Sequence, residues 1–215
     1  MSSPIIYPTP QWVTAFTTGR GCSVEDLGLH PEELALPRQT HSSHILRVSQ
    51  AGRPEDTDAV FTDRPGLCVC VKTADCIPVL LYDDRTHMVA AVHAGWRGTV
   101  ASIAAHTVSL MTDRPRHVHA IIGPGISLQR FEVGDEVYEQ FAAADFNLDY
   151  AAERREKWHL DLALLNRELL VQSGLDEANI RLSGICTYNR CDLFFSARRL
   201  GTESGRIYNA IMIEG

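Results

Sequence analysis

Three near-continuous apolar runs in the middle of the chain constrain its fold more than any other feature. They are Leu67–Thr73, Ile77–Tyr82 and Met88–His93, rich in Val, Leu, Ala and Cys and separated by only a few residues. Runs of this length, bounded by turn residues, read as β-strands buried on both faces. The connections between them are too short for the crossover that parallel neighbours require. Asp83, Asp84 and Arg85 between the last two read as a hairpin-type turn. Any sheet containing these strands must therefore be mixed or antiparallel. Further strands are expected at Trp12–Thr17, Ile45–Ser49, Val118–Ile122, Arg181–Thr187 and Ile207–Ile213. After Gly98 the period changes, and Val100, Ile103, Ala104, Thr107, Val108 and Met111 fall on one helical face. Val133–Ala143 and Leu160–Ser173 read as two more helices, the second stopped by Gly174. Residues 22–38, with two prolines and no clear period, read as a loop with a short helical turn. No repeat or long linker divides the chain. The expectation is a single α+β domain over residues 1–215, with mixed sheets and helices on the outside.

Composition narrows the function. The chain has 215 residues and a net charge of −7, which argues against a nucleic-acid partner, since such proteins present a basic face. No apolar run reaches the length of a membrane span, and the first residues lack the basic start and apolar core of a signal peptide. The expected compartment is a reducing cytoplasm, where cysteines are buried, metal-bound or catalytic rather than paired. Six cysteines and nine histidines are present, and no CxxC pair occurs.

Position sorts these residues. His41 lies just before a strand, Cys76 between two strands, and His93 at the end of a strand before a helix. Strand ends are where a rigid sheet presents reactive groups. Two imidazoles and one thiolate suit Zn²⁺, with the fourth position open to water or substrate. The charge left on such a site, about +1, suits a catalytic rather than a structural metal. The alternative is a buried cysteine with two hydrogen-bonded histidines. Asp75, next to Cys76, can orient water or act as a general base, or can serve as a turn residue. Arg97, at a helix entrance beside His93, can hold a phosphate together with backbone N–H groups, or pair with an acid. Cys68 and Cys70 share one strand face and read as buried small hydrophobes. His44 rivals His41, but in an extended segment the two point apart. Phe194, Phe195, Trp96 and Trp158 are candidate stacking groups, and Ser196, Arg198 and Arg199 follow the first two.

The stretches Gln39-x-His41-Ser42, Thr73-Ala74-Asp75-Cys76-x-Pro78-Val79-Leu80-Leu81 and His93-Ala94-Gly95-Trp96-Arg97-Gly98 resemble the YfiH/laccase-domain family. Gly123-Pro124-x-Ile126, Phe131-Glu132-Val133, Cys186-Thr187 and Phe194-Phe195-Ser196-x-Arg198-Arg199 extend the match, in order, from about residue 12 to the end. The resemblance implies a four-layer α/β/β/α domain. It implies a purine nucleoside phosphorylase acting on adenosine, inosine and methylthioadenosine, with adenosine deaminase activity. The implied metal site falls on His41, Cys76 and His93, with one Zn per chain. Asp56-x-Asp58-Ala59 resembles the family's D-x-D-A stretch and makes Asp58 a candidate substrate-binding residue beside Arg198, although Thr57 departs from the usual Ala. The implied partners are a purine nucleoside and phosphate, with the chain a monomer or homodimer. The family's older name, multicopper polyphenol oxidase, fits less well: blue-copper sites use His₂Cys with a weak axial ligand. Oxygen reduction needs several coppers and many histidines, whereas His117-x-His119 is the lone HxH pair here. A cysteine hydrolase or amidase, with Cys76 as nucleophile and His93 or His41 as base, is the main rival, matching a family role in peptidoglycan precursor editing. A non-enzymatic zinc-binding module is a further one.

Overall fold

The structure, a computed structural model, describes residues 2–215. The apolar runs assemble into two sheets. The larger has six strands in the spatial order Ile180–Leu182, Val118–Ile122, Ile77–Asp83, Val89–Ala94, Ala59–Thr62 and Ile45–Arg47. Its centre is antiparallel and its two edge pairs are parallel, so the sheet is mixed, as the short connections require. The second sheet has five strands in the order Ile5–Ile6, Val13–Thr17, Ile207–Ile213, Cys68–Thr73 and Leu34–Ala35.

Side-chain alternation explains the apolar runs. Leu80, Tyr82, Val89, Ala91 and Ile121 point from the larger sheet toward Val13, Ala15, Val69, Val71 and Ile211 of the smaller one. The other face of the larger sheet, with Val79, Leu81, Val92 and Ala94, packs on helices Ile103–Met111 and Leu162–Gln172. All seven residues of Ile77–Asp83 are buried, because that strand lies between two apolar layers.

The far face of the smaller sheet differs from the expected helical fourth layer. Phe16, Cys68, Cys70 and Ala210 are covered by Val24, Leu29 and Leu36 from the segment 22–36. That segment forms two 3-10 turns, Glu25–Leu27 and Pro31–Glu33. Gly28 at φ 80° ends the first, and Pro31 opens the second, so no longer helix can form.

Other boundaries moved for physical reasons. The helix expected after Gly98 begins at Trp96 and is split into Trp96–Val100 and Ile103–Met111 by Ser102 at φ 56°. Val100 and Ile103 stay in phase across the break, which hid it from the periodicity. Val133 and Leu160, expected to open helices, lie instead in a small three-stranded sheet of Glu132–Val133, Trp158–Leu160 and Ala152–Arg154. The helices themselves start at Asp135 and Leu162, the second capped by Asp161, whose carboxylate accepts from the Leu164 N–H. The strand expected over Arg181–Thr187 leaves the sheet after Leu182, and Cys186 meets Gly125 in an isolated bridge. Among the described residues, no helix is long and apolar enough to cross a membrane.

Phe141, on helix Asp135–Ala143, is fully buried and makes an edge-on contact with Phe146 at 5.1 Å. Phe141→Ala is expected to lower stability by about 3–5 kcal/mol through lost burial and the cavity left behind. A denaturant titration checks this: an unchanged midpoint contradicts the packing described.

Candidate metal centre

Three separate segments meet where the two sheets are stitched together. The chain leaves strand Cys68–Thr73 in the smaller sheet, turns through Ala74-Asp75-Cys76, and enters strand Ile77–Asp83 in the larger one. Cys76 sits on this corner, at the boundary of the two sheets. Asp75 adopts φ 87° and holds the corner from several sides. Its carboxylate accepts from Thr187 Oγ1 at 2.7 Å and from the Arg198 N–H at 2.7 Å. Its carbonyl accepts from the Ile126 N–H at 2.8 Å. His93 is delivered by the pairing of Val89–Ala94 with Ile77–Asp83, opposite Pro78. His41 arrives on the loop before Ile45–Arg47, at φ 62°.

The ligand atoms of His41, Cys76 and His93 lie within 4.8 Å of one another. His41 Nε2 is 3.9 Å from Cys76 Sγ, and the two imidazoles meet edge-on with centroids 4.8 Å apart. A sulfur and a nitrogen on one four-coordinate transition-metal ion stand about 3.6 Å apart, close to the separation of Cys76 Sγ and His41 Nε2. Gly95 permits this approach: a Cβ there would lie 3.2 Å from both Cys76 Sγ and His41 Cδ2.

Asp58 organises the centre from behind. It is fully buried, and its Oδ1 takes a hydrogen bond from His93 Nδ1 at 2.6 Å. That bond fixes the tautomer and leaves Nε2 free to ligate. The same carboxylate accepts from the N–H groups of Thr40, His41 and Ser42 and from the Ser42 hydroxyl, at 2.8–3.1 Å. One buried acid thus positions both histidines. Burial alone would push its carboxyl up, but the bonds from His93 and Ser42 bring it down to about 2. Burial likewise opposes ionisation of Cys76, yet the His93 charge and bonds from both histidines lower its thiol to about 6. Cys68 behaves oppositely, with burial pushing its thiol up to about 12, and burial also raises Cys70. Both are fully buried, as the shared strand face predicted.

The centre opens into a cleft of about 550 Å³. His41, Cys76, His93, Asp75 and Arg198 all line it. Asp58 lies behind His93 rather than in the lining. Arg97 is not brought to the cleft: it is exposed and stacks over the Trp96 ring at 4.2 Å. His44 is exposed and pairs with Asp56 at 2.9 Å, outside the cluster. Trp158 stacks on Tyr138 at 3.6 Å, and Phe194 is buried away from the lining. The aromatic wall is Phe131, with the Arg198 guanidinium 5.6 Å from its centroid. Sequence reasoning missed Phe131 in this role, and it missed Arg38, Arg53, Lys72 and Arg206 in the lining. Lys72 carried a visible signal, as the one cation in an otherwise apolar strand.

Fold and site together define a class: a mixed two-sheet α/β protein with a His–Cys–His cluster open to a cationic cleft. The chain belongs to the family described as multi-copper polyphenol oxidoreductase laccase, whose model matches residues 15–214. It is 44% identical over 207 residues to a purine nucleoside phosphorylase of Bacteroides thetaiotaomicron, covering 88% of this chain and 77% of that one. It is 40% identical over 201 residues to "Adenosine deaminase RL5" of an unknown prokaryotic organism, covering 86% and 77%. The crystal structure of Bacillus licheniformis hypothetical protein YfiH superposes with a TM-score of 0.94 at 27% identity, covering 100% of this chain and 97% of that one.

Proposed function

We propose that the protein is a zinc-dependent purine nucleoside phosphorylase, acting on adenosine, inosine and methylthioadenosine, with adenosine deaminase activity. The observation that carries this reading is an open three-donor centre in a cleft lined by five cations and one carboxylate, Asp75. Such a lining in a chain of net charge −7 fits an anionic co-substrate. The names of the relatives support the same reaction classes.

His41, Cys76 and His93 would hold one zinc, with Asp58 orienting His93. Bound zinc supplies Lewis-acid polarisation at its open position. Among the described residues, no second cluster of three such ligands accompanies this one, which favours a single zinc over several coppers. In phosphorolysis a phosphate oxygen forms the bond to ribose C1′ while the C1′–N9 bond breaks toward the purine. Asp75, which keeps a lone pair on each oxygen beyond its two bonds, is assigned to proton transfer. Phe131 offers the purine an apolar wall, and Arg198 sits beside it. We place the reaction in the cytoplasm, consistent with six free thiols.

One observation favours a second reading. Cys76, His93 and Asp58 form a thiol–imidazole–carboxylate relay, the arrangement of a cysteine hydrolase.

The assay incubates the protein with each nucleoside, with and without phosphate, and follows free base, sugar phosphate and ammonia. Phosphate-dependent base release is expected. Its absence rejects the phosphorylase, and full activity in chelator-stripped protein rejects the metal in favour of the thiol relay.

A further inference from the structure

Arg198, which lines the cleft beside Phe131, is gripped at both its ends. Its main-chain N–H donates to the Asp75 carboxylate at 2.7 Å, which anchors it to the corner that carries Cys76. Its guanidinium reaches the other way. Nη2 donates to the Glu132 carbonyl at 3.0 Å, and Nη1 to the Arg130 carbonyl at 3.4 Å. These two carbonyls flank Phe131, and the guanidinium carbon lies 5.6 Å from the ring centroid. A rigid planar fork with adjacent donors can bridge two carbonyls in this way, and an ammonium cannot. An arginine set to hold an oxyanion keeps its fork free for two parallel bonds. Here both terminal nitrogens are engaged by the protein itself.

The backbone around the ring is fixed on its other sides as well. The Phe131 N–H donates to the Ser127 carbonyl at 3.0 Å, and its carbonyl accepts from the Leu160 N–H at 3.2 Å. Arg130 donates its Nε to Asn189 Oδ1 at 3.0 Å, and its guanidinium lies 5.0 Å from the Tyr188 centroid. Arg199 Nη1 donates to the Tyr188 carbonyl at 2.9 Å. Segments 127–132 and 188–199 are thus cross-tied, and the path Asp75–Arg198–Phe131 ties the ring to the residue next to Cys76. Among the described residues lining the cleft, Phe131 carries the one phenyl ring, and no tyrosine or tryptophan joins it. A held aromatic face is the surface on which a nucleobase stacks.

We propose that Arg198 is a positioning residue for the nucleobase rather than a ligand of phosphate. Its fork clamps the carbonyls on either side of Phe131, and the clamped ring sets how tightly the base of a nucleoside is held. That the occupant is a purine nucleoside rests on the phosphorylase reading above; the clamp itself does not.

The test measures KM for inosine and for phosphate, and inosine affinity by calorimetry in the absence of phosphate. Phe131→Ala is expected to raise the inosine KM and Kd about ten- to a hundredfold, the size of one lost base–aromatic stack. Arg198→Ala loosens the ring without removing it and should raise both about three- to tenfold, a fraction of that stack. The phosphate KM should stay close to wild type. Arg198→Lys should behave like Arg198→Ala, because it keeps the charge but cannot bridge the two carbonyls. Both variants retain the main-chain bond to Asp75, so metal content and melting temperature should match the wild type. On a Phe131→Ala background, Arg198→Ala should add nothing, since an effect carried by the ring vanishes with it. A raised phosphate KM with an unchanged inosine KM, rescue by Arg198→Lys, or effects that multiply in the double variant each overturn the positioning role. If the wild type shows no phosphorolysis, the phosphorylase reading falls and the inosine Kd values decide the clamp alone. Absent inosine binding, or equal binding by Arg198→Ala, then overturns it.

Discussion

Replacing Cys76 with alanine is expected to remove the bound metal and reduce phosphorolysis and deamination to background. Of the three donors, Cys76 is the one that brings negative charge, and without it two neutral imidazoles remain. Substituting a group that merely orients a ligand costs about 10–100-fold in metal affinity, so loss of the thiolate itself should exceed that. The fold should survive, because the corner is held by Asp75 through Thr187 and Arg198 rather than by the thiol. Zinc content per chain, measured beside base release, is the check. A Cys76→Ala protein that keeps one zinc and wild-type turnover removes His41–Cys76–His93 as the centre. Loss of activity with zinc retained points instead to Cys76 as nucleophile.

The second large effect is expected at Asp58, which never touches the cleft. Asp58→Ala leaves His93 Nδ1, three backbone N–H groups and the Ser42 hydroxyl without their common acceptor. Breaking one side of a buried charge-bearing pair costs about 3–5 kcal/mol. His93 also loses the bond that fixes its tautomer, and His41 loses the tether of its left-handed turn. Metal affinity should therefore fall about 10–100-fold together with stability. Asp58→Asn separates the two effects, since it preserves the volume and one acceptor oxygen. Competition with a zinc chelator and a denaturant midpoint, read on both variants, test this. Wild-type values for Asp58→Ala in both would show that the carboxylate does not organise the site.

The sequence made much of the centre legible, and the limits have physical causes. His41, Cys76 and His93 stood out because each is a ligating residue at the end of an apolar run, and run ends follow from hydrophobic pattern alone. Val118–Ile122 and Ile207–Ile213 were read to the residue because their runs stop at strong turn signals. Ala59–Thr62 went unread, since a four-residue strand among polar turns has too little pattern to register. Arg97 was placed by its neighbour in sequence, but the helix that starts at Trp96 turns its side chain outward over that ring. The cations that do line the cleft come from segments far apart in the chain, and only tertiary pairing brings Arg53, Lys72 and Arg206 together. Asp58 was legible as a residue but not as a support for His93, because that role depends on a strand pairing invisible in one sequence.

The strand Ile207–Ile213 lies in the interior of its sheet, between Val13–Thr17 and Cys68–Thr73. Neither partner pairs with the other, so the lane between them stays empty until Ile207–Ile213 has been made. Their pairing with that strand spans well over a hundred residues of chain, which makes assembly dependent on distant contacts and correspondingly slow. Until that lane fills, Val71 and Val13 stand beside an open edge able to recruit the wrong strand. A nascent chain stalled short of Ile207 would therefore be a target for chaperones, and Asn209 can reach Thr73 only once that lane is filled.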